Sequence, residues 1–193
     1  TFDPPHNGHL DCIKHSINLF PGAKCLLVPA VQPATTTKES KYPVLDFSQR
    51  VKLSELLLAA DSHVNACCEV SQIESSLQAP NYTIHTIEKI KKDNPTKHLG
   101  LLVGSDQFVN FYKWKHAFEL LHMVSLIVVK RQGDTSDDIT KGIEQLRDKL
   151  SLNYQSMDPR NHIYQCKKTQ TSVFHRVFDR KWSTTPPIRI SRF

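Results

Sequence analysis

Short apolar runs alternate along this chain with segments whose apolar residues recur every three or four positions. The runs KCLLV (24–28), HLGLLVG (98–104) and SLIVVK (125–130) are predicted strands. The periodic segments are predicted helices, and they cover about 10–20, 48–58, 84–90, a segment through Phe111 and Trp114, and 139–150. Strands that alternate with helices predict right-handed βαβ units. The chain is therefore expected to adopt an α/β fold, with a doubly wound, mostly parallel sheet and helices on both faces.

Local signals set the expected element ends. Pro21-Gly22 and Asn94-Pro95 are typical of helix ends, and Ser48 is the predicted N-cap of the second helix. Ser105-Asp106 is read as a polar turn between a strand and a helix. Further strands are predicted at HVNACCEV (63–70), HIYQC (162–166) and IRIS (188–191).

Composition excludes several classes of protein. The 193 residues suffice for one domain, and no apolar run approaches the ~20 residues of a membrane span. The five cysteines are odd in number and form no CxxC pair, which argues against a disulfide framework and against a zinc site. Free thiols predict a reducing compartment, which is the cytoplasm, or the nucleus in a eukaryote.

Positive charge is concentrated at the end of the chain. Residues 160–193 hold eight Lys or Arg and one Asp, whereas the whole chain carries +6. Such a segment is either a solvated positive face or a binding surface for an anion, such as nucleic acid or a phosphate-rich small substrate. Basic residues do not alternate with aromatic ones there, which argues against a single-strand nucleic-acid binder.

The opening stretch TFDPPHNGHL places His6 and His9 around Gly8 at the expected start of the first helix. Free N–H groups at a helix start bind anions, and a residue without Cβ lets backbone approach a ligand closely. Two imidazoles on one side of that turn suit a phosphate better than a metal, because no third ligand follows in the sequence. The alternative interpretation is that both histidines only cap the helix.

The string TFDPPHNGH resembles the T-F-D-P-x-H-x-G-H signature of the HxGH nucleotidyltransferase superfamily. Three later stretches resemble blocks of its nicotinate- or nicotinamide-mononucleotide adenylyltransferase branch, in the same order: NYTIHTIEKI (81–90), LLVGSDQFVNFYKW (101–114) and LIVVKRQG (126–133). Asn81 and Gln132 replace the family's usual residues in two of these blocks. The resemblance implies a Rossmann-like fold.

The same resemblance implies an activity. AMP would pass from ATP to nicotinate or nicotinamide mononucleotide, giving the dinucleotide of NAD biosynthesis and pyrophosphate, with no covalent intermediate and with Mg²⁺ bridging ATP oxygens. Two alternatives stay open. One is a related pantetheine-phosphate adenylyltransferase or cytidylyltransferase, and the other is a nucleotide-binding protein without turnover. The expected partners are the two nucleotides, with neither membrane nor nucleic acid, and a homo-oligomer is allowed.

The matched positions carry implied roles. His6 and His9 would meet the transferring and leaving phosphates. Asp106 would bind the adenosine ribose or cap the helix after it, and Trp114 would stack on the pyridine ring or pack as a core aromatic. The other implied ATP contacts are Thr1, Phe2, Gly8, Gly104 and Arg131, of which Arg131 has the alternative of capping the sheet edge. The other implied mononucleotide contacts are Lys38, Tyr82, Thr83 and Thr86.

The family pattern also contains elements that the printed sequence does not match. A strand ending in Gly-Gly precedes its first motif, and an I-S-S-T-x-I-R motif opens its C-terminal helices. Here Thr1 is the first residue, and Arg192 and Phe193 follow IRIS. We therefore expect residues 1–193 to be a single nucleotidyltransferase domain without the first strand and the C-terminal helical part.

Overall fold

The computed structural model describes residues 2–32, 43–129, 137–158, 163–166, 172–176 and 189–191. The chain divides into two compact units, which are described separately. The first comprises Thr1–His98 with Thr184–Phe193, and the second comprises Leu99–Ser183.

The first unit is built on a short parallel sheet. Its elements in chain order are α1 (Asn7–Leu19), β1 (Cys25–Leu27), α2 (Phe47–Ala59), α3 (Ser62–Cys67), β2 (Cys68–Val70), a 3₁₀ turn (Ile73–Ser76), α4 (Thr83–Asp93) and β8 (Arg189–Ser191). Strand β1 lies between β2 and β8 and is parallel to both. Cys25 is opposite Cys68 on one side and Ile190 on the other.

Most of the described strands belong to the second unit. Its elements are β3 (Leu99–Gly104), α5 (Ser105–Val109), a 3₁₀ turn (Phe111–Lys113), α6 (Ala117–Met123), β4 (Val124–Val129), α7 (Asp137–Leu150), β5 (Tyr154–Asp158), β6 (Ile163–Cys166) and β7 (Ser172–Arg176). Strands β3, β4 and β7 are parallel in that spatial order. Strand β6 is antiparallel to both β7 and β5. The predicted α/β fold with a mostly parallel sheet is confirmed, and the antiparallel pairing of β5 and β6 is an addition.

The periodic apolar positions form the core in each unit. Leu10, Ile13 and Ile17 of α1 are buried, as are the three isoleucines of α4. Every residue of β3 from Leu99 to Val103 is buried. A strand without an exposed face is covered on both sides, as parallel strands in α/β proteins are.

Several local predictions need correction. Asp46, not Ser48, is the N-cap of α2: its Oδ1 accepts from the Gln49 N–H at 2.8 Å and from the Ser48 hydroxyl at 2.7 Å. Most of HVNACCEV is helix α3, and only Cys68–Val70 is a strand. Ser105 and Asp106 begin helix α5 directly after β3, so no turn separates the two elements.

Candidate active site

The histidine turn is the capped N-terminus of α1. His6 is the N-cap residue, with extended backbone, and its Nδ1 accepts from the Gly8 N–H at 3.1 Å. The His6 N–H in turn donates to Nδ1 of His9 at 3.2 Å. The two rings are in contact and tilted against each other, with centroids 3.9 Å apart and an angle of 36° between their planes. This is a reciprocal capping box in which imidazoles replace the usual hydroxyl and carboxylate.

These hydrogen bonds fix the tautomer of both rings. Each Nδ1 accepts from a backbone N–H, so it carries no proton, and in a neutral imidazole the proton is then on Nε2. His6 is exposed and His9 is half-buried. The predicted capping role is therefore confirmed, and in both rings it engages Nδ1 rather than Nε2.

Gly8 provides the space for the His6 ring. A Cβ built on Gly8 would lie 3.0 Å from Cε1 and 3.1 Å from Nδ1 of His6, which is tighter than ordinary van der Waals contact. The sequence suggested that this glycine lets ATP approach. In the structure, the missing Cβ of Gly8 leaves room for the His6 imidazole that caps the helix.

Phe2 and Asp3 lie just ahead of the histidine turn in the sequence, and both make contacts that fix their position. Phe2 has a left-handed φ of 52°, its side chain is 1% exposed, and its ring lies 4.9 Å from that of His9. Asp3 accepts from the Val44 N–H at 2.6 Å and from the Leu45 N–H at 3.0 Å. These bonds, that to Leu45 first, hold the pKa of Asp3 below its usual value. Sequence reasoning gave Asp3 no role, although it lies inside the TFDP string.

The start of α4 is fixed by a buried polar cluster. Thr86 is fully buried, and its hydroxyl donates to Oε1 of buried Glu74 at 2.8 Å. The Asn81 side chain donates to the Glu74 carbonyl at 3.2 Å and accepts from the Gln32 N–H at 3.0 Å. Thr86 was expected to contact the mononucleotide, but its hydroxyl is engaged within the protein. We therefore assign it to holding Glu74.

Tyr82 and Thr83 lie at the surface end of the same helix. Tyr82 is the N-cap residue of α4, and Thr83 is its first helical residue. Both are half-buried, and the Tyr82 ring meets that of His85 edge-on, with centroids 5.9 Å apart. They remain accessible to a ligand, in contrast to Thr86.

In the second unit the predicted site residues follow strand β3. Gly104 is the N-cap of α5, so the alternative that Asp106 is the cap is wrong. Asp106 lies exposed in the first turn, where its Oδ2 accepts from the Gln107 side chain at 3.3 Å. Trp114 is half-buried, and its ring lies 4.9 Å from that of fully buried Phe111. The residue is thus not fully enclosed in the core.

Some predicted site residues lie outside the described part of the chain. These are Thr1, Lys38 and Arg131. Within the described part, no group of three or more His, Cys, Asp or Glu side chains is arranged to hold a metal ion. In the same part, no helix is both long and apolar enough to cross a membrane.

A family model described as cytidylyltransferase-like matches residues 1–183. Among curated proteins, one named "probable nicotinate-nucleotide adenylyltransferase" from Chlorobium phaeobacteroides (strain BS1) is 35% identical over 140 residues, covering 72% of this chain and 68% of that protein. A protein of the same name from Bacillus pumilus (strain SAFR-032) is 31% identical over 136 residues, covering 70% and 68%.

The fold matches solved structures as well. Plasmodium falciparum nicotinic acid mononucleotide adenylyltransferase complexed with NaAD has a TM-score of 0.60 at 16% identity, covering 72% of this chain and 66% of that one. Its complex with APC has a TM-score of 0.57 with the same identity and coverage. At this identity the likeness establishes a shared fold. The chain thus spans about two thirds of the length of the relatives it matches.

Proposed function

Because the chain belongs to the cytidylyltransferase-like nucleotidyltransferases, and within them to the nicotinate-nucleotide adenylyltransferase family, we propose that it transfers AMP from ATP to nicotinate mononucleotide. The products are the dinucleotide, an intermediate of NAD biosynthesis, and pyrophosphate. Among structural observations, the reciprocal histidine cap at the start of α1 carries this proposal, because it presents imidazole N–H donors at a helix N-terminus.

The reaction is a displacement at the α-phosphorus of ATP. An oxygen of the mononucleotide's phosphate forms the new P–O bond, and the bond to the β-phosphate oxygen breaks with its electron pair, releasing pyrophosphate. The nucleophile is already anionic, so no general base is required. The protein has to align two polyanions and stabilise charge on the transferring and leaving groups.

His6 and His9 are suited to that task. Their Nδ1 atoms are held by backbone N–H groups, so the rings are oriented before substrate arrives. Their Nε2–H groups then donate to phosphate oxygens without a proton having to move. Mg²⁺ would enter as part of the ATP substrate and would neutralise part of the phosphate charge.

The remaining site residues divide by substrate. Asp106, exposed after β3, accepts hydrogen bonds from the adenosine ribose hydroxyls, with Gly104 giving clearance. Trp114 offers a flat face to the pyridine ring. For Tyr82 and Thr83, a contact with the mononucleotide is proposed from the family resemblance. Thr1, Phe2 and Arg131 toward ATP, and Lys38 toward the mononucleotide, stay predictions from the family resemblance. So do the single-domain organisation, a homo-oligomer and a cytoplasmic location.

A pyrophosphate-release assay tests the proposal. ATP is supplied with nicotinate mononucleotide, nicotinamide mononucleotide or 4′-phosphopantetheine in parallel, and CTP replaces ATP in a further arm. We expect release with ATP and the nicotinate compound, and weaker release with the amide. Release only with phosphopantetheine or CTP would favour a related transferase. No release with any pair, although ATP binds, would favour a nucleotide-binding protein without turnover.

A further inference from the structure

Arg50 of α2 is among the most buried side chains described in this chain, at 1% exposure. Its guanidinium donates to the backbone carbonyls of Ala30 at 2.7 Å, Val31 at 3.5 Å and Leu45 at 3.1 Å. Burial of a charged group is costly unless its donors are satisfied, and the rigid fork of a guanidinium can satisfy several acceptors at once. The arginine thus joins two stretches of backbone that are distant in sequence.

One branch of these contacts leads to the histidine turn. The Leu45 peptide is held from both ends, because its carbonyl accepts from Nε of Arg50 and its N–H donates to Oδ1 of Asp3. Asp3 is three residues ahead of His6. A displacement of Leu45 would therefore be transmitted to His6 and His9 through the Asp3 side chain.

The other branch leads to the start of α4. Ala30 and Val31 follow β1, at the end of the strand where ligands bind in parallel sheets. The Val31 N–H donates to Oε2 of Glu74 at 3.3 Å, and Oε1 of Glu74 accepts from Thr86. Arg50 is thus linked through one peptide and one carboxylate to the helix that carries Tyr82 and Thr83.

We infer that Arg50 is a positioning residue for adenylyl transfer, which sets the histidine turn and the start of α4 by holding the Ala30–Val31 and Leu45 carbonyls. The inference rests on the proposed function. Arg50 is 1% exposed, and its guanidinium donates to backbone carbonyls inside the protein. It therefore acts through His6, His9 and the α4 residues.

The test compares Arg50→Lys with Leu58→Val in the full chain. Lysine keeps the charge but cannot fork to three carbonyls. Leu58 is buried on the same helix, two turns away, and belongs to neither branch. A misplacement of about 1 Å can cost ~100-fold in rate, so we expect kcat to fall by about that factor in Arg50→Lys. Both variants should lower the melting temperature, but Leu58→Val should leave kcat and KM unchanged.

A second readout does not depend on activity. Nitrogen-15 NMR of the imidazoles should show His6 and His9 with unprotonated Nδ1 in the wild type, and a mixture of tautomers in Arg50→Lys. Asp3→Ala removes the acceptor of the Leu45 N–H, and so breaks the Leu45 link from its other end. It should give the same two changes, which covers the case that Arg50→Lys does not fold.

The outcomes separate the two proposals. If the wild type transfers no adenylyl group, the proposed function fails, and the imidazole spectra decide the inference by themselves. If the wild type is active and either folded variant keeps wild-type kcat and wild-type imidazole signals, Arg50 is only a structural residue and the inference is overturned.

Discussion

The space that Gly8 leaves empty is filled by the imidazole of His6, since a Cβ on the glycine would lie 3.0 Å from Cε1 of that ring. The neighbour is an exposed side chain rather than packed backbone. It can therefore move aside, and the damage from a larger residue at position 8 would fall on the orientation of the ring rather than on the fold.

Gly8→Ala should separate activity from stability. Alanine favours a helix by up to about 1 kcal/mol over glycine, so the free energy of unfolding should stay the same or rise. The displaced His6 ring should lower kcat by about tenfold to a hundredfold. Steady-state kinetics and urea unfolding of the same preparation check both. An alanine variant with wild-type kcat would show that the ring tolerates the added carbon.

His9→Ala should lower kcat by two to three orders of magnitude, the usual loss for one preorganised donor at a developing charge. It also removes the acceptor of the His6 N–H, so a stability loss of about 1 kcal/mol is expected. His15→Ala, an exposed histidine on the same helix, is the control and should leave kcat unchanged. Equal kinetics in the two variants would count against a phosphate role for His9.

Trp114→Ala should raise KM for the mononucleotide by about tenfold, equivalent to about 1.4 kcal/mol of lost stacking, with a smaller effect on KM for ATP. Trp114→Phe should recover most of the loss, because it keeps a flat aromatic face. Initial rates with each substrate varied in turn give both constants. If the alanine variant raised only KM for ATP, the proposed contact between the Trp114 indole and the mononucleotide would be wrong.

Thr86→Val should destabilise the protein by about 1–3 kcal/mol, since it leaves Oε1 of the buried Glu74 carboxylate without the hydroxyl that donates to it. Thr86→Ser should restore most of that loss. Urea unfolding measures both variants. The opposite order, valine tolerated and serine destabilising, would mean that packing of the methyl group matters more than the hydrogen bond.

Asp3→Asn should reveal a pH-dependent contribution to stability. The two backbone N–H donors favour the ionised carboxylate, so the folded pKa is below the ordinary value of about 3.9. The stabilisation is then fully present above that ordinary value and is lost as pH falls through the lowered folded pKa. The difference in unfolding free energy between wild type and Asp3→Asn should therefore shrink on acidification. A difference that is constant with pH would contradict this.

The periodic parts of the fold were predictable because one physical signal sets them. Ile84, Ile87 and Ile90 are spaced for a single helix face, and all three are buried in α4. Segment 63–70 was misassigned, because the β-branched and thiol residues of HVNACCEV suit a strand while Asp61 caps a helix at Ser62–Cys67. Its carboxylate accepts from the Val64 N–H at 3.0 Å, and that cap outweighs the propensity of the residues that follow.

Within the candidate site, the sequence predicted as one alternative that His6 caps α1, and the structure confirms this cap. The roles of Asp3, Arg50 and Glu74 were not visible. Asp3 and Glu74 each accept a hydrogen bond from a backbone N–H more than forty residues away. Arg50 donates to a backbone carbonyl about twenty residues away. No periodicity or local spacing encodes such a partner, so only coordinates disclose it.

The reciprocal cap explains why this turn needs imidazole and no other side chain. Asparagine could accept from the backbone and lysine could donate to an anion, but neither holds an acceptor and a donor at fixed positions on one rigid ring. A designer who wished to transplant this turn into another helix would have to move both rings, the intervening glycine and the phenylalanine that contacts His9 as one piece.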